Sequence, residues 1–157
     1  MQVNFRNLLV LYVAFHFTLA PGCTLKHAVQ PVKDGLIAPG PQKITIIRDN
    51  AVRFAGFHDS IVKALVGCGF TVESVPQGTA YGKLPLAITY TANWSWDLDL
   101  YLSYAHIQLF QDGKVIGDGL YDATWGGLNL GKWIHADIEV QKLVYDMFPT
   151  RVYKKEP

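Results

Sequence analysis

The chain has 157 residues, with 14 Lys and Arg against 13 Asp and Glu, and half of its residues are hydrophobic. This composition is typical of a folded domain of ordinary size and excludes a disordered chain. A net charge so close to zero gives no electrostatic reason to expect a nucleic-acid partner.

The N-terminal segment has the organisation of an export signal. Arg6 and the amino terminus precede an apolar run over residues 8–20, which is shorter than the roughly 20 residues of a membrane-spanning helix. His16 lies inside this run and would be costly within a bilayer. We therefore expect residues 1–22 to be a cleaved signal peptide.

Residues 19–23, Leu-Ala-Pro-Gly-Cys, resemble the lipobox of bacterial lipoproteins, with Pro21 and an early leucine as departures. The resemblance implies a diacylglycerol on the Cys23 thiol, fatty acids such as palmitate, and a mature chain that begins at Cys23. Thr24 in the next position implies the outer membrane, with the domain facing the periplasm. The alternative is an ordinary cleavage site of small residues, which leaves Cys23 unmodified.

Residues 24–42 contain two prolines and two glycines in their second half and show no apolar period. Together with Cys23 they are predicted to form a flexible tether over residues 23–42. A single domain is then expected over residues 43–157. Removal of residues 1–22 takes away one basic and no acidic side chain, so the mature chain is predicted to be neutral.

The first part of this domain has the pattern of a strand, a helix and a strand. Residues 43–48 and 70–75 are rich in β-branched side chains, which favours strands. Between them, residues 54–68 carry apolar side chains at helical spacing: Phe57, Ile61, Leu65 and Cys68. Cys68 therefore reads as a small buried hydrophobic residue and not as a reactive thiol.

The second part is predicted to be mainly β-structure. Apolar and polar residues alternate over residues 94–103, and the alternation changes phase near Tyr104, which indicates a bulge or a turn. This pattern favours one long bent strand, or two strands that meet near residues 97–99. A hairpin turn at residues 111–114, a return strand and a final helix over residues 132–148 complete the chain.

The order of elements predicts an α+β fold, a mainly antiparallel sheet with two helices packed on one face. The run Tyr-Thr-Ala-Asn-Trp-Ser-Trp-Asp over residues 90–97, with the leader cysteine, resembles a group of small proteobacterial lipoproteins of unassigned function. That group has no established activity or cofactor, so the resemblance implies a location and a fold only.

Two groups of side chains suggest chemistry. Asp97 and Asp99 share one strand face, and paired carboxylates can perform acid–base catalysis, although a solvated strand face is the favoured interpretation. His135 and Glu139 lie one helical turn apart, and a surface pair is favoured over a metal site. We expect no catalytic residue, no metal ligand and no cofactor.

Aromatic residues are concentrated in the β-rich part, and most are expected in the core. Tyr101 lies on the polar phase of its strand and Trp125 in a glycine-rich loop, which favours exposure. The candidate binding surface therefore consists of Trp94, Trp96, Asp97, Asp99, Tyr101 and Trp125.

The leading functional hypothesis is an envelope lipoprotein, held by Cys23, whose domain is a structural or interaction module for an envelope protein. One alternative is a periplasmic hydrolase that uses Asp97 and Asp99. Another is a carrier of a small ligand with an aromatic pocket. An open pocket lined by the aspartates favours the hydrolase, a closed apolar cavity the carrier, and an exposed aromatic patch the interaction module.

Overall fold

The computed structural model describes residues 25–97, 99–124 and 135–151. These residues form six strands and two α-helices. In chain order they are β1 (Lys26–Gln30), β2 (Gln42–Ile47), α1 (Ala55–Gly67), β3 (Phe70–Val75), β4 (Leu86–Asp97), β5 (Asp99–Gln111), β6 (Lys114–Asp122) and α2 (Ala136–Met147). The leader and Cys23 lie outside the described residues.

One mixed sheet contains all six strands in the order β1-β6-β5-β4-β2-β3. The pairs of β1 with β6, β6 with β5, and β5 with β4 are antiparallel. The strand β2 runs parallel to β3, because α1 connects the two strands, and it also runs parallel to β4. The predicted α+β fold with a mainly antiparallel sheet is thereby confirmed. None of the described helices has the length and apolar character needed to cross a bilayer.

The prediction of a flexible tether over residues 23–42 is wrong for residues 26–30, which form the edge strand β1. Lys26 is the register partner of Asp122, and Gln30 that of Asp118. The N–H of the buried Val32 then donates a hydrogen bond to the carbonyl of Met147 at 2.9 Å. The domain therefore begins at β1 and not at residue 43. Five residues beside a segment rich in proline and glycine are too few to show a clear period in the sequence.

Both helices lie on one face of the sheet and close a single main core. The predicted stripe of α1 is buried throughout, and α2 buries Val140, Leu143, Val144 and Met147. Burial raises the pKa of the Cys68 thiol to about 11, against a smaller opposite effect of Arg151, which agrees with the hydrophobic role expected for Cys68. In the described part of the chain, the opposite face carries a small buried apolar cluster of Ile47, Ala87 and Phe110.

The β4–β5 hairpin shows the predicted phase change as a bulge. Asn93 is the register partner of Tyr104, and Trp94 that of Leu102, which leaves Ser103 as the extra residue. The Ser103 hydroxyl donates a hydrogen bond to the Asn93 carbonyl at 3.1 Å. The strand β4 ends at Asp97 and β5 begins at Asp99, its register partner, so the second of the two predicted arrangements is confirmed.

Candidate binding surface at one end of the sheet

Several elements begin or end at the same end of the sheet. The hairpin strands β4 and β5 turn there, and β6 ends there opposite the first residue of β1. Phe54, immediately before α1, contacts Trp94 near the end of β4, and the first turn of α2 lies beside the same tryptophan. We call this part of the molecule the aromatic end and define it by Phe54, Trp94, Trp96, Asp99, Leu100 and Tyr101.

The β4–β5 hairpin extends well beyond the neighbouring strand. The strand β5 pairs with β6 from Tyr104 onward, and Ala123, just after β6, donates its N–H to the Ser103 carbonyl at 2.9 Å. Residues 99–102 therefore project beyond this pairing. At a rise of about 3.3 Å per residue the projection is about 13 Å. The end of the hairpin therefore lies beyond the end of the neighbouring strand β6.

The cross-strand pairs of this projection change from buried to exposed along the hairpin. Trp94 and Leu102 are partners, and both pack against the main core. The next pair in the same register, Trp96 and Leu100, is 75% and 53% exposed. Two large apolar side chains thus lie side by side in solvent at the far end of the hairpin.

Trp94 is fixed by two phenylalanines. Its ring stacks on Phe54 with centroids 5.1 Å apart and planes at 23°, and it meets Phe57 edge-on at 5.6 Å. Phe54 occupies the N-cap position of α1, where a serine or aspartate would normally accept a backbone hydrogen bond, and it makes no such bond. An aromatic contact at the surface thus replaces a helix cap.

A cleft of about 410 Å³ lies between the hairpin and the N-terminal turns of the two helices. Phe57, Trp94 and Leu102 form apolar parts of its lining, whereas Asp99 and Asp137 contribute acidic residues. A second depression of about 310 Å³ is lined by Arg53, Phe54, Asn93 and Leu100, among others. The Phe54–Trp94 stack borders both depressions, so it is the centre of the aromatic end.

Four of the six predicted surface residues are brought together here. Trp94, Asp99 and Tyr101 line the cleft, and Trp96 lies on the same hairpin. Strand alternation predicted Asp99 on the face opposite Trp94, yet both line the cleft. The backbone of Asp97 pairs with Asp99 in the register, but its side chain lies outside the described residues, as does Trp125.

Two residues of the aromatic end, Phe54 and Leu100, are absent from the predicted surface. The apolar period places Phe54 inside the predicted helix, although a large apolar residue just before a helical stripe is a usable signal for a surface contact. Alternation assigns Leu100 to the apolar phase of its strand and hence to the core. Neither assignment allowed for a hairpin that is longer than the layer of helices.

The candidate acidic and histidine residues take separate places. The carboxylate of the exposed Asp99 accepts a hydrogen bond from the N–H of Leu100 at 2.7 Å. His135 occupies the N-cap position of α2, whereas the Glu139 carboxylate lies 3.8 Å from His27 Nδ1 on β1. Among residues 25–97, 99–124 and 135–151, no group of three or more His, Cys, Asp or Glu side chains is placed to hold a metal ion.

A buried histidine lies away from the aromatic end. His58 of α1 makes hydrogen bonds to the Tyr90 hydroxyl at 3.2 Å and to the Ser74 hydroxyl at 3.0 Å. Burial, assisted by the nearby Arg48 charge, lowers the pKa of His58. The side chain therefore connects α1 to β3 and β4 in its neutral form.

The open face of the sheet carries a second polar group. The Asp118 carboxylate makes a hydrogen bond to His106 Nε2 at 2.8 Å and accepts one from the Gln108 amide at 2.9 Å. These side chains are half-buried and link β5 with β6. They stabilise the register of the two strands on the face away from the helices.

No family model and no curated protein matches the chain. Among solved structures, the PelC dodecamer from Paraburkholderia phytofirmans is similar with a TM-score of 0.49 and 9% identity, over 79% of this chain and 94% of that chain. A variant of the same PelC dodecamer in a different crystal form gives a TM-score of 0.46 and 8% identity, over 79% and 95% of the two chains. At this level of identity the function has to be argued from the aromatic end itself.

Proposed function

We propose that the protein is an envelope lipoprotein whose domain acts by binding, not by catalysis, with the aromatic end as its contact surface. The observation that carries this proposal is the exposed pair Trp96 and Leu100 on a hairpin that projects beyond the sheet. Contiguous apolar patches of this kind usually mark interaction sites on monomeric proteins. Tryptophan is moreover enriched at the centres of such sites.

The location in this proposal comes from the leader. Residues 19–23 and the apolar run before them support export and acylation of Cys23. An acylated Cys23 would hold the domain at the periplasmic face of the outer membrane, where it would meet an envelope partner. Several acyl chains give an anchorage that is effectively permanent.

The hydrolase alternative has weaker support from the geometry. It needs Asp97 and Asp99 as a catalytic pair, and these residues lie at the turn of the hairpin as register partners. Asp99 is exposed and bonded to the backbone of its own neighbour. A general acid needs a shielded site that retains its proton, which an exposed hairpin end does not provide.

The carrier alternative is supported by the size of the cleft beside Trp94, about 410 Å³, but Asp99 and Asp137 also line this cleft, so it is not the closed apolar cavity that a carrier predicts. Pockets for small ligands begin at about 300 Å³ and are mostly lined by apolar side chains. Titration with an amphipathic fluorescent probe would test it. Probe binding that is lost in Phe57→Ala, while Trp96→Ser binds normally, would favour the carrier over a contact at the hairpin.

Two measurements test the proposed function. Mass spectrometry of the protein from membranes should show a chain that begins at Cys23 and carries acyl groups, and Cys23→Ser should release it from the membrane fraction. A photo-crosslinking residue at position 100 should form adducts with an envelope protein or with lipid in the native envelope. The same residue at Val115, which is also exposed but lies at the opposite end of β6, should form none.

An unmodified Cys23 thiol in the mature protein would contradict the lipoprotein assignment. Equal crosslinking from positions 100 and 115, or none from either, would contradict the assignment of the contact surface.

A further inference from the structure

We infer that the aromatic end rests on the lipid surface that carries the Cys23 anchor, with Trp96 and Leu100 inserted among the lipid headgroups. This inference rests on the proposed function, because it requires an acylated Cys23. It names the partner of the aromatic end as lipid, and it follows from strand directions, distances and side-chain chemistry.

The strand directions place the anchor and the hairpin at the same end. The strand β1 is antiparallel to β6, and its first residue, Lys26, faces Asp122 at the end of β6. The strand β4 has the same direction as β6, since both are antiparallel to β5. The chain that precedes Lys26 therefore reaches β1 from the side toward which the β4–β5 hairpin projects.

The distances leave little space between the lipid and the hairpin. Cys23 precedes Lys26 by three residues, so its Cα lies at most about 11 Å from that of Lys26. The hairpin projects about 13 Å past the pairing of Ser103 with Ala123, which adjoins the level of Lys26 and Asp122. A lipid-bearing Cys23 thus keeps the membrane within reach of Trp96 and Leu100. A free tether over residues 23–42 would have allowed a separation of up to about 65 Å.

The chemistry of the aromatic end suits an interface between water and lipid. Tryptophan is enriched at the level of the headgroups, where its ring is partly in contact with lipid and its N–H with water. Leu100 lies directly opposite Trp96, and the half-exposed Phe54 extends the apolar surface. Exposed apolar side chains at one end of a domain are the means by which peripheral proteins enter the interface.

The charges at this end point to apolar rather than electrostatic attachment. Arg53 lines one depression of this end and Asp99 and Asp137 line the other, and Lys26 at the start of β1 is the register partner of Asp122. The described residues here thus carry charges of both signs. A surface of mixed charge gains little from anionic lipids. The contact should therefore be the same on neutral and anionic membranes and at low and high salt.

The test uses the full-length acylated protein with a nitroxide label at Leu100→Cys and, as a matched control, at Val115→Cys. Both native residues are exposed and apolar, and they lie at opposite ends of the sheet. Cys68 is buried with a raised thiol pKa, and Cys23 is blocked by the lipid, so labelling is confined to the new cysteine. The protein is reconstituted into vesicles of phosphatidylethanolamine with a minor share of phosphatidylglycerol.

We expect the label at position 100 to collide with dissolved oxygen severalfold more often, relative to a water-borne nickel chelate, than the label at position 115. The added change Trp96→Ser should move the label at position 100 toward water, while the lipid anchor keeps the protein on the vesicles. Both results should be unchanged when the anionic lipid is omitted.

Two outcomes would overturn the inference while the proposed function stands. A label at position 100 that is as accessible to the chelate as the one at position 115 would place the hairpin in water. A label that is inaccessible to both reagents would show that residues 125–134 or another protein cover it. If mass spectrometry of the same preparation shows no lipid on Cys23, the proposed function itself fails.

Discussion

The close packing of Val32 and Met147 against β6 depends on the absence of a side chain at Gly117, and Gly117→Ala tests this. A Cβ at this position would lie 3.0 Å from the Val32 Cγ2 and 3.3 Å from the Met147 Cε. Carbon atoms prefer separations of about 3.5–4.0 Å. The Met147 methyl is the flexible end of its side chain and can turn away, whereas Val32 is short, β-branched and buried.

The expected loss combines two opposed effects. Overpacking a core typically costs about 1–3 kcal/mol. Replacing a glycine restricts the unfolded chain and returns about 0.4–1 kcal/mol. We therefore expect Gly117→Ala to lower the free energy of unfolding by about 1–2 kcal/mol. The matched control is Gly56→Ala in the first turn of α1, where a Cβ has its nearest contact at 3.7 Å and should be neutral or stabilising by up to about 1 kcal/mol.

A second substitution identifies the partner of the clash. Val32→Ala removes two methyl groups and alone should cost about 1.6 kcal/mol. In the double variant with Gly117→Ala the overpacking is relieved, so the combined loss should be smaller than the sum by about 1 kcal/mol or more. Urea unfolding followed by tryptophan fluorescence, in the Cys23→Ser background, measures the reference chain and the four variants. Strict additivity, or a Gly117→Ala variant as stable as Gly56→Ala, would refute the reasoning.

Three further predictions concern single side chains. Burial lowers the pKa of His58 below its ordinary 6.5, so the unfolded chain takes up the extra proton at a higher pH than the folded chain does. The free energy of unfolding should therefore fall as the pH drops through 6.5. In urea unfolding, His58→Gln should lose less of this free energy between pH 7.5 and 5.5. The Cys68 thiol, with its pKa raised to about 11, should react with a thiol reagent at pH 8 far more slowly in the folded chain than in denaturant; equal rates would contradict its burial. Trp94→Ala should lower the free energy of unfolding by about 2–3 kcal/mol because the contacts with Phe54 and Phe57 are lost, whereas the exposed Trp96→Ala should stay within about 0.5 kcal/mol.

Most elements could be predicted from the sequence because their burial has a period. The stripe of α1 at helical spacing is buried as expected, and β3 covers the predicted residues 70–75. The phase change near Tyr104 predicts a bulge or a turn, and the structure has a bulge there, since one extra residue exchanges the two faces of a strand. These signals are local, because each one is contained in the sequence of the element that it predicts.

The elements that could not be predicted depend on a distant partner. The strand β1 has only five residues, and its pairing with β6 joins positions far apart in the chain. His27 is held there by a hydrogen bond to Asp146 of α2 at 3.1 Å. No periodic pattern in residues 26–30 could indicate these contacts, because they are made to segments near the C-terminus.

The candidate site could be predicted only in part, because it also depends on how distant elements pack together. Trp94 and Trp96 have the same strand phase, so alternation assigned them the same environment. The structure separates them, since Trp94 lies under Phe54 and Trp96 lies two residues farther along the hairpin in solvent. Which residue passes the edge of the helical layer depends on the lengths of the packed elements, and alternation carries no information about it.

The aromatic end departs from the rules of stable folding at three positions, and these departures are the physical reason to assign function to it. Phe54 occupies a helix cap without making the capping hydrogen bond, which costs about 1 kcal/mol relative to serine or aspartate. Trp96 and Leu100 expose apolar surface that polar residues on an exposed hairpin would avoid. The core positions named above follow the rules of burial and period, and proteins usually break such rules where a partner compensates for the cost. The polar group around Asp118 satisfies its own hydrogen bonds and so stabilises the sheet without a partner, whereas the surface of Trp96 and Leu100 becomes favourable only when something covers it.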